Sequence, residues 1–195
     1  MKKIEKVAEN FSPLFDRINK FIGKKTVIAI EGGSASGKTT LSRLIEKTYD
    51  CTVFHMDDFF LRPEQRTAER YAQIGGNIDK ERFLAEILIP LSKGQEIKYQ
   101  KFDCSKMSLG ETENIVPKDL VIIEGAYSMH PEFEKFYDFS VFLNISPEYQ
   151  KQRILKRNSP ALAERFFNEW IPMEQKYFYE FKIPQKCDIE IEIKE

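Results

Sequence analysis

The sequence predicts an α/β fold, with a mostly parallel central sheet flanked by helices. Three observations carry this. Short β-branched and apolar runs at 27–30, 51–56, 120–123 and 140–143 alternate with stretches whose apolar residues recur at helical spacing. The run at 120–123, Leu-Val-Ile-Ile, is continuously apolar, as expected of a strand covered on both faces. At the end of the first strand a glycine-rich turn leads directly into a helical pattern, and open α/β sheets bind ligands at such strand ends.

The totals narrow the class. A chain of 195 residues that is 42% hydrophobic and 31% charged suits one well-buried domain, here 24–195, preceded by an amphipathic segment over 1–23. The formal net charge of −1 gives no global basic field to recruit nucleic acid or a membrane, so a small-molecule partner is expected, with a homo-oligomer left open. Cys51, Cys104 and Cys187 are scattered and odd in number, which argues against a disulfide framework or a zinc site and suits a cytoplasmic protein. No apolar run approaches the ~18–20 residues that span a bilayer.

In chain order, Ile4, Val7, Phe11, Leu14, Ile18, Phe21 and Ile22 form one helical stripe that predicts packing against the core. Ser12 is a potential cap and Pro13 suits a first helical turn. Strand 27–30 is followed by a helix from Lys38, and strand 51–56 ends in Asp57-Asp58-Phe59-Phe60. Two carboxylates at a strand end could act as a base, support a metal ion or start a turn, and neighbours on a strand face opposite sides, so only one of them enters a site. Residues 61–77 are polar and glycine-containing, the composition of a substrate flap or a solvated connector.

Asp79 opens a helix carrying Phe83, Leu84, Ile87 and Leu88, which Gly94 stops. Residues 97–102 and 112–116 read as a small hairpin with Asp103 between the strands. Strand 120–123 ends in Glu124-Gly125, and an acid there needs a cation partner if buried. Pro147 opens a helix whose last turns hold Arg153 and Arg157, placed either to complement the helix dipole or to clamp phosphates from a lid. A long aromatic-rich helix is predicted over 160–181, with some rings free to line a pocket, and 187–193 alternates as a final half-buried strand.

The glycine-rich turn carries the chemistry. Gly32, Gly33, Ser34, Ala35, Ser36, Gly37, Lys38, Thr39 and Thr40 fit G-x-x-x-x-G-K-[ST], the phosphate-binding P-loop, in its required strand–loop–helix context. Backbone N–H groups curl around an anion, and the helix N-terminus adds its positive end. Lys38 is placed for the β/γ-phosphates and Thr39 for Mg²⁺, so the reading is a P-loop NTPase fold with ATP and Mg²⁺ as cofactors. The absence of an N-K-x-D guanine-reading motif argues against a GTPase: Lys118-Asp119 lacks the preceding Asn.

G-G-S-A-S-G-K-T-T, D-D-F-F and I-I-E-G, in that order, resemble the uridine kinase and phosphoribulokinase group of P-loop kinases, which includes nicotinamide riboside kinases. The resemblance runs from Thr26 onward. It implies transfer of the ATP γ-phosphoryl group to an alcohol, most simply a nucleoside. It also implies Asp57 as base toward the acceptor hydroxyl, Glu124 with Thr39 at Mg²⁺, Asp79 on ribose hydroxyls, and Arg153, Arg157 and Arg165 as lid arginines. The chain departs from uridine kinases where the base is read. Phe102-Asp103 replaces a Tyr-Asp pair, and Met107 and Leu109 fall where a His and an Arg are expected. Pantothenate, glycerate or a sugar phosphate is the alternative acceptor, and a nucleotide-binding switch or ATPase module is the rival outside the kinases.

Overall fold

The computed structural model describes residues 11–194. Five strands form one parallel sheet in the order β2-β5-β1-β6-β7: β1 (Thr26–Gly32), β2 (Cys51–His55), β5 (Leu120–Glu124), β6 (Phe139–Ile145) and β7 (Ile189–Ile193). β1 is central, so the chain between β2 and β5 makes an excursion before it returns beside β1. That excursion holds the antiparallel hairpin of β3 (Ile97–Asp103) and β4 (Ser108–Ile115).

Side chains alternate along β1, and the two faces bury different partners. Ile28 and Ile30 join Leu41 and Ile45 of α2 (Lys38–Thr48) with Leu14 and Ile18 of α1 (Ser12–Asn19). Ala29 faces the opposite layer, a phenylalanine- and tyrosine-rich core that includes Phe54, Phe59, Phe83, Phe133 and Tyr177. The high aromatic content is therefore mostly core.

Several boundaries differ from expectation. The described half of the N-terminal stripe does pack on the sheet, while Ile4 and Val7 lie outside the described residues. Ser12 lies inside the helix rather than capping it, and Ile22 is exposed because α1 ends at Asn19. Asp103 ends β3 opposite Ser108 instead of lying between strands, and β4 starts earlier than alternation alone suggests. β7 starts at Ile189 because Asp188 is used in a corner, accepting from the Ser140 N–H and hydroxyl, both at 2.8 Å.

α3 (Ala68–Ala72) is one short turn, and two later helices continue through a widened turn. α4 begins at Lys80–Phe83, passes a π turn at Leu84–Leu88 and resumes at Ile89–Ser92. α6 begins at Pro160–Arg165, passes a π turn at Phe166–Trp170 and resumes at Ile171–Phe181. In each case a proline, Pro90 or Pro172, stands just beyond the π turn. Proline has no N–H to offer the carbonyl four residues back and its ring crowds that carbonyl, so the helix widens instead of stopping.

Candidate functional site

The carboxyl ends of β1, β2 and β5 open into one cleft of about 1040 Å³. Its floor is the P-loop. Gly32 has φ +149, and a Cβ there would sit 2.6 Å from the Leu143 carbonyl oxygen, so the loop can turn under β6 only as glycine. No side chain caps α2, which leaves its first N–H groups free at the loop. The Lys38 ammonium donates to the carbonyls of Gly32 (2.8 Å) and Gly33 (3.0 Å), folding back over the loop. The buried Ser36 hydroxyl has no partner among the described residues. Ser34, Ala35, Gly37, Lys38, Thr39 and Thr40 line the cleft. Ala35, Met107 and Tyr127 also line it and are three of the non-glycine residues with positive φ, local strain of the kind that gathers at functional sites.

Glu124, 4% exposed at the end of β5, accepts a hydrogen bond from the Thr39 hydroxyl at 3.0 Å. Its same oxygen lies 2.6 Å from His55 Nδ1. That hydrogen bond raises the His55 pKa above its ordinary value. His55 is thus a hydrogen-bonding partner rather than a base. Among the described residues there is no group of three or more metal-ligating side chains. Thr39 and Glu124 nonetheless fit a Mg²⁺ ion that takes the rest of its ligands from phosphates and water.

Of the paired aspartates, Asp57 faces the cleft and Asp58 does not. Asp57 is open to solvent on the cleft side but enclosed elsewhere. That desolvation raises its pKa above the ordinary aspartate value, with Lys38 and Arg157 pulling it down. Gly125, with φ +144, makes this approach possible: a Cβ would lie 2.5 Å from Met56 Cβ, next to Asp57.

α5 (Pro147–Arg157) and the start of α6 form the far wall. Arg153 hangs over the loop, its guanidinium 3.6 Å from where a Gly37 Cβ would be. Arg157 stacks on Phe166 at 5.3 Å, and burial followed by the nearby Arg153 charge lowers its pKa. Arg165 also borders the cleft but is paired with Glu169 at 3.0 Å and lies over Trp170. Phe166 and Trp170 are the aromatic-helix rings that reach the cleft, while Tyr177 and Phe178 are core.

Three of the acceptor-side expectations fall elsewhere. Asp79 is buried, capping α4 by accepting from the Arg82 N–H at 3.2 Å, and borders a separate cavity of about 630 Å³ with Arg62, Arg82 and Leu109. Phe102 is 5% exposed and covered by the Arg66 guanidinium at 5.5 Å. Asp103 accepts from the Ser105 N–H (2.8 Å) and hydroxyl (2.6 Å), a turn that holds its carboxyl down at about 2. None of the three lines the cleft; Arg66, Tyr71, Asn77, Cys104 and Met107 do.

Sequence reasoning also missed Glu174. This buried carboxylate of α6 takes hydrogen bonds from the Ser34 N–H (2.8 Å) and hydroxyl (2.5 Å), while Gln150 Nε2 donates to the Ser34 carbonyl at 2.8 Å. Burial raises the Glu174 pKa, opposed by Lys38. Glu31, wholly buried beneath the loop, accepts from the N–H groups of Gly32 and Met129 and from the Tyr177 hydroxyl, and burial still pushes its carboxyl up to about 7. Neither acid belongs to a contiguous motif.

A P-loop at the end of a central parallel strand, an acid ending the adjacent strand and arginines above the loop form the nucleotide site of a P-loop fold. The model described as the phosphoribulokinase / uridine kinase family matches residues 27–161, and the chain belongs to that family. A uridine kinase of Macrococcus caseolyticus is 26% identical, over 74% of this chain and 72% of its own. One from Staphylococcus epidermidis is 24% identical over 89% of both chains. Among solved structures, a possible uridine kinase from Bacillus stearothermophilus superposes with a TM-score of 0.74, covering 95% of this chain and 99% of its own at 21% identity, a likeness of fold. The chain is therefore a family phosphotransferase with a nucleotide-binding P-loop. Among the described residues, no helix is long and apolar enough to cross a membrane.

Proposed function

We propose that the protein transfers the γ-phosphoryl group of ATP to a hydroxyl of a small molecule. The observation that carries this is the meeting of Lys38, Thr39, Glu124 and Asp57 in one cleft. The loop amides and Lys38 hold the triphosphate, and Arg153 and Arg157 stand ready to neutralise its outer oxygens. Thr39 and Glu124 would hold Mg²⁺, which when bound would offset the negative charge that develops during transfer. Asp57 accepts the proton of the acceptor hydroxyl as its oxygen bonds to the γ-phosphorus. The bond from that phosphorus to the β–γ bridging oxygen breaks, and ADP leaves.

The resemblance and the names of the relatives favour a nucleoside acceptor. A non-nucleoside acceptor is the second reading, favoured by one observation: Phe102 is buried under Arg66, Asp103 is folded into its own turn, and Met107 faces the cleft. A pocket without polar partners for a base loses much of its discrimination.

The test is ADP release with Mg·ATP across nucleosides, nicotinamide riboside, pantothenate, glycerate and sugar phosphates, with Lys38→Ala as blank. Stimulation by one acceptor, absent from the blank, is the expected result. Hydrolysis that no alcohol accelerates but a protein partner does would replace this reading with a nucleotide-binding switch.

A further inference from the structure

Resting on the kinase reading in its second, non-nucleoside form, we infer that the acceptor is a hydroxylated carboxylic acid and that Arg66 reads its carboxylate. Arg62 contacts Glu64 at 3.3 Å and shares Gln65. Arg70 is held by Glu81 at 2.6 Å and by the carbonyls of Gly76 and Ile78. Arg82 is tied to Glu86 and to the carbonyls of Gln100 and Asp58. Each of these arginines is part of the scaffold.

Among the described residues, the cleft-lining arginines with no ion pair are Arg66, Arg153 and Arg157. Arg153 and Arg157 lie on the lid helix over the P-loop, where the triphosphate supplies the missing charge. Arg66 lies at the other end of the cleft. Its Nε donates to the Leu61 carbonyl at 2.9 Å and its plane rests on Phe102 at 5.5 Å. One nitrogen and one face are thereby fixed, and the two terminal nitrogens remain unassigned. A half-buried, immobilised guanidinium with free donors is preorganised for a planar anion, because its orientation is set before the ligand arrives.

The neighbours define the rest of the ligand. Arg66, Cys104 and Asp57 line the same cleft, so one bound molecule can meet both the base and the guanidinium. Between them, Phe60, Leu61, Ile78 and Met107 supply an apolar surface that suits a short carbon skeleton. A single guanidinium matches the single charge of a carboxylate in a two-pronged contact, whereas a phosphate dianion would leave about half its charge unmatched. The burial of Phe102, which removes a base-reading side chain, here builds an anion reader.

Two measurements test this. Cys104 is a built-in probe beside Arg66, exposed and accessible to alkylation. Iodoacetate and iodoacetamide differ in charge alone, and their rates at Cys104 are read by peptide mass spectrometry in the full chain. Arg66→Gln is expected to lower the iodoacetate-to-iodoacetamide ratio by about tenfold and leave the iodoacetamide rate unchanged, as loss of a steering charge requires. Arg66→Lys keeps part of the preference. An unchanged ratio in Arg66→Gln overturns the inference.

The second measurement is turnover of charge-matched acceptors: pantothenate against pantothenol, glycerate against glycerol, with glycerol 3-phosphate and uridine beside them. An acid is expected to be preferred, and Arg66→Gln to raise its KM about 30-fold or more with kcat little changed, the pattern of lost ground-state binding. Equal use of a neutral partner, or preference for uridine or the phosphate ester, overturns the inference. Failure of the wild-type protein to bind ATP would overturn the kinase reading instead, and the alkylation ratio would still decide the role of Arg66.

Discussion

The two ends of the cleft are built on opposite plans. At the nucleotide end several side chains already have internal partners: Lys38 rests on loop carbonyls, Ser34 on Glu174, and Thr39 on Glu124. At the acceptor end Arg66 presents free donors on an apolar floor, and the residues of the uridine kinase pattern are turned away. The nucleotide end is a cradle shaped by bonds within the chain. The acceptor end is where the family can vary, because a changed side chain there alters recognition without disturbing the loop.

The sharpest way to break this contrast is at the point of transfer. Asp57→Asn should lower turnover by about 10³-fold, within the range for loss of a general base, while ATP affinity stays near that of the wild type. Near-normal turnover in that variant would remove Asp57 from the mechanism. The same group sets the pH profile. Asp57 works unprotonated and its pKa is raised by burial, so turnover should fall as pH drops through that raised pKa, with an inflection above the ordinary aspartate value. An inflection at the ordinary value would mean that the cleft does not desolvate it.

Gly125→Ala tests the joint between the two ends. The new methyl must displace Met56 and with it Asp57, at a cost of about 1–3 kcal/mol of stability, read from the denaturant midpoint. Unchanged stability and turnover would show the joint to be compliant.

The smallest effect is expected at Glu174. Its charge occupies Ser34 donors beside an incoming triphosphate, and like charges brought together cost affinity. Glu174→Gln should therefore tighten ATP binding by up to about tenfold, measured by calorimetry. Weaker binding in that variant would mean that the glutamate serves mainly to shape the loop.

The same contrast explains what could be read from the sequence. The P-loop is contiguous, and each of its residues does its work within a few positions of its neighbours, so strand, loop and helix were all visible there. Glu124 was visible because it ends a strand of strong apolar pattern, and Asp57 because it follows the end of another within two residues. Glu174 lies 140 residues from its partner Ser34, and no local pattern announces such a contact. Arg66 looked the same as Arg62 and Arg70 in a charged loop, and only the fold shows which arginines have carboxylate partners. Asp79 and Asp103 misled for a related reason. Short acids at helix starts and turns are used by the backbone as readily as by ligands, and both are used that way here.

The π turn of α6 falls between Arg165 on its outer side and Glu174 on its inner side, next to Pro172. A helix with a complete hydrogen-bond ladder would move as a rod, and any swing of the outer end would drag the carboxylate off Ser34. Bending concentrates where the ladder is interrupted. The turn is therefore the place where the helix can bend at its Arg165 end without drawing Glu174 off Ser34.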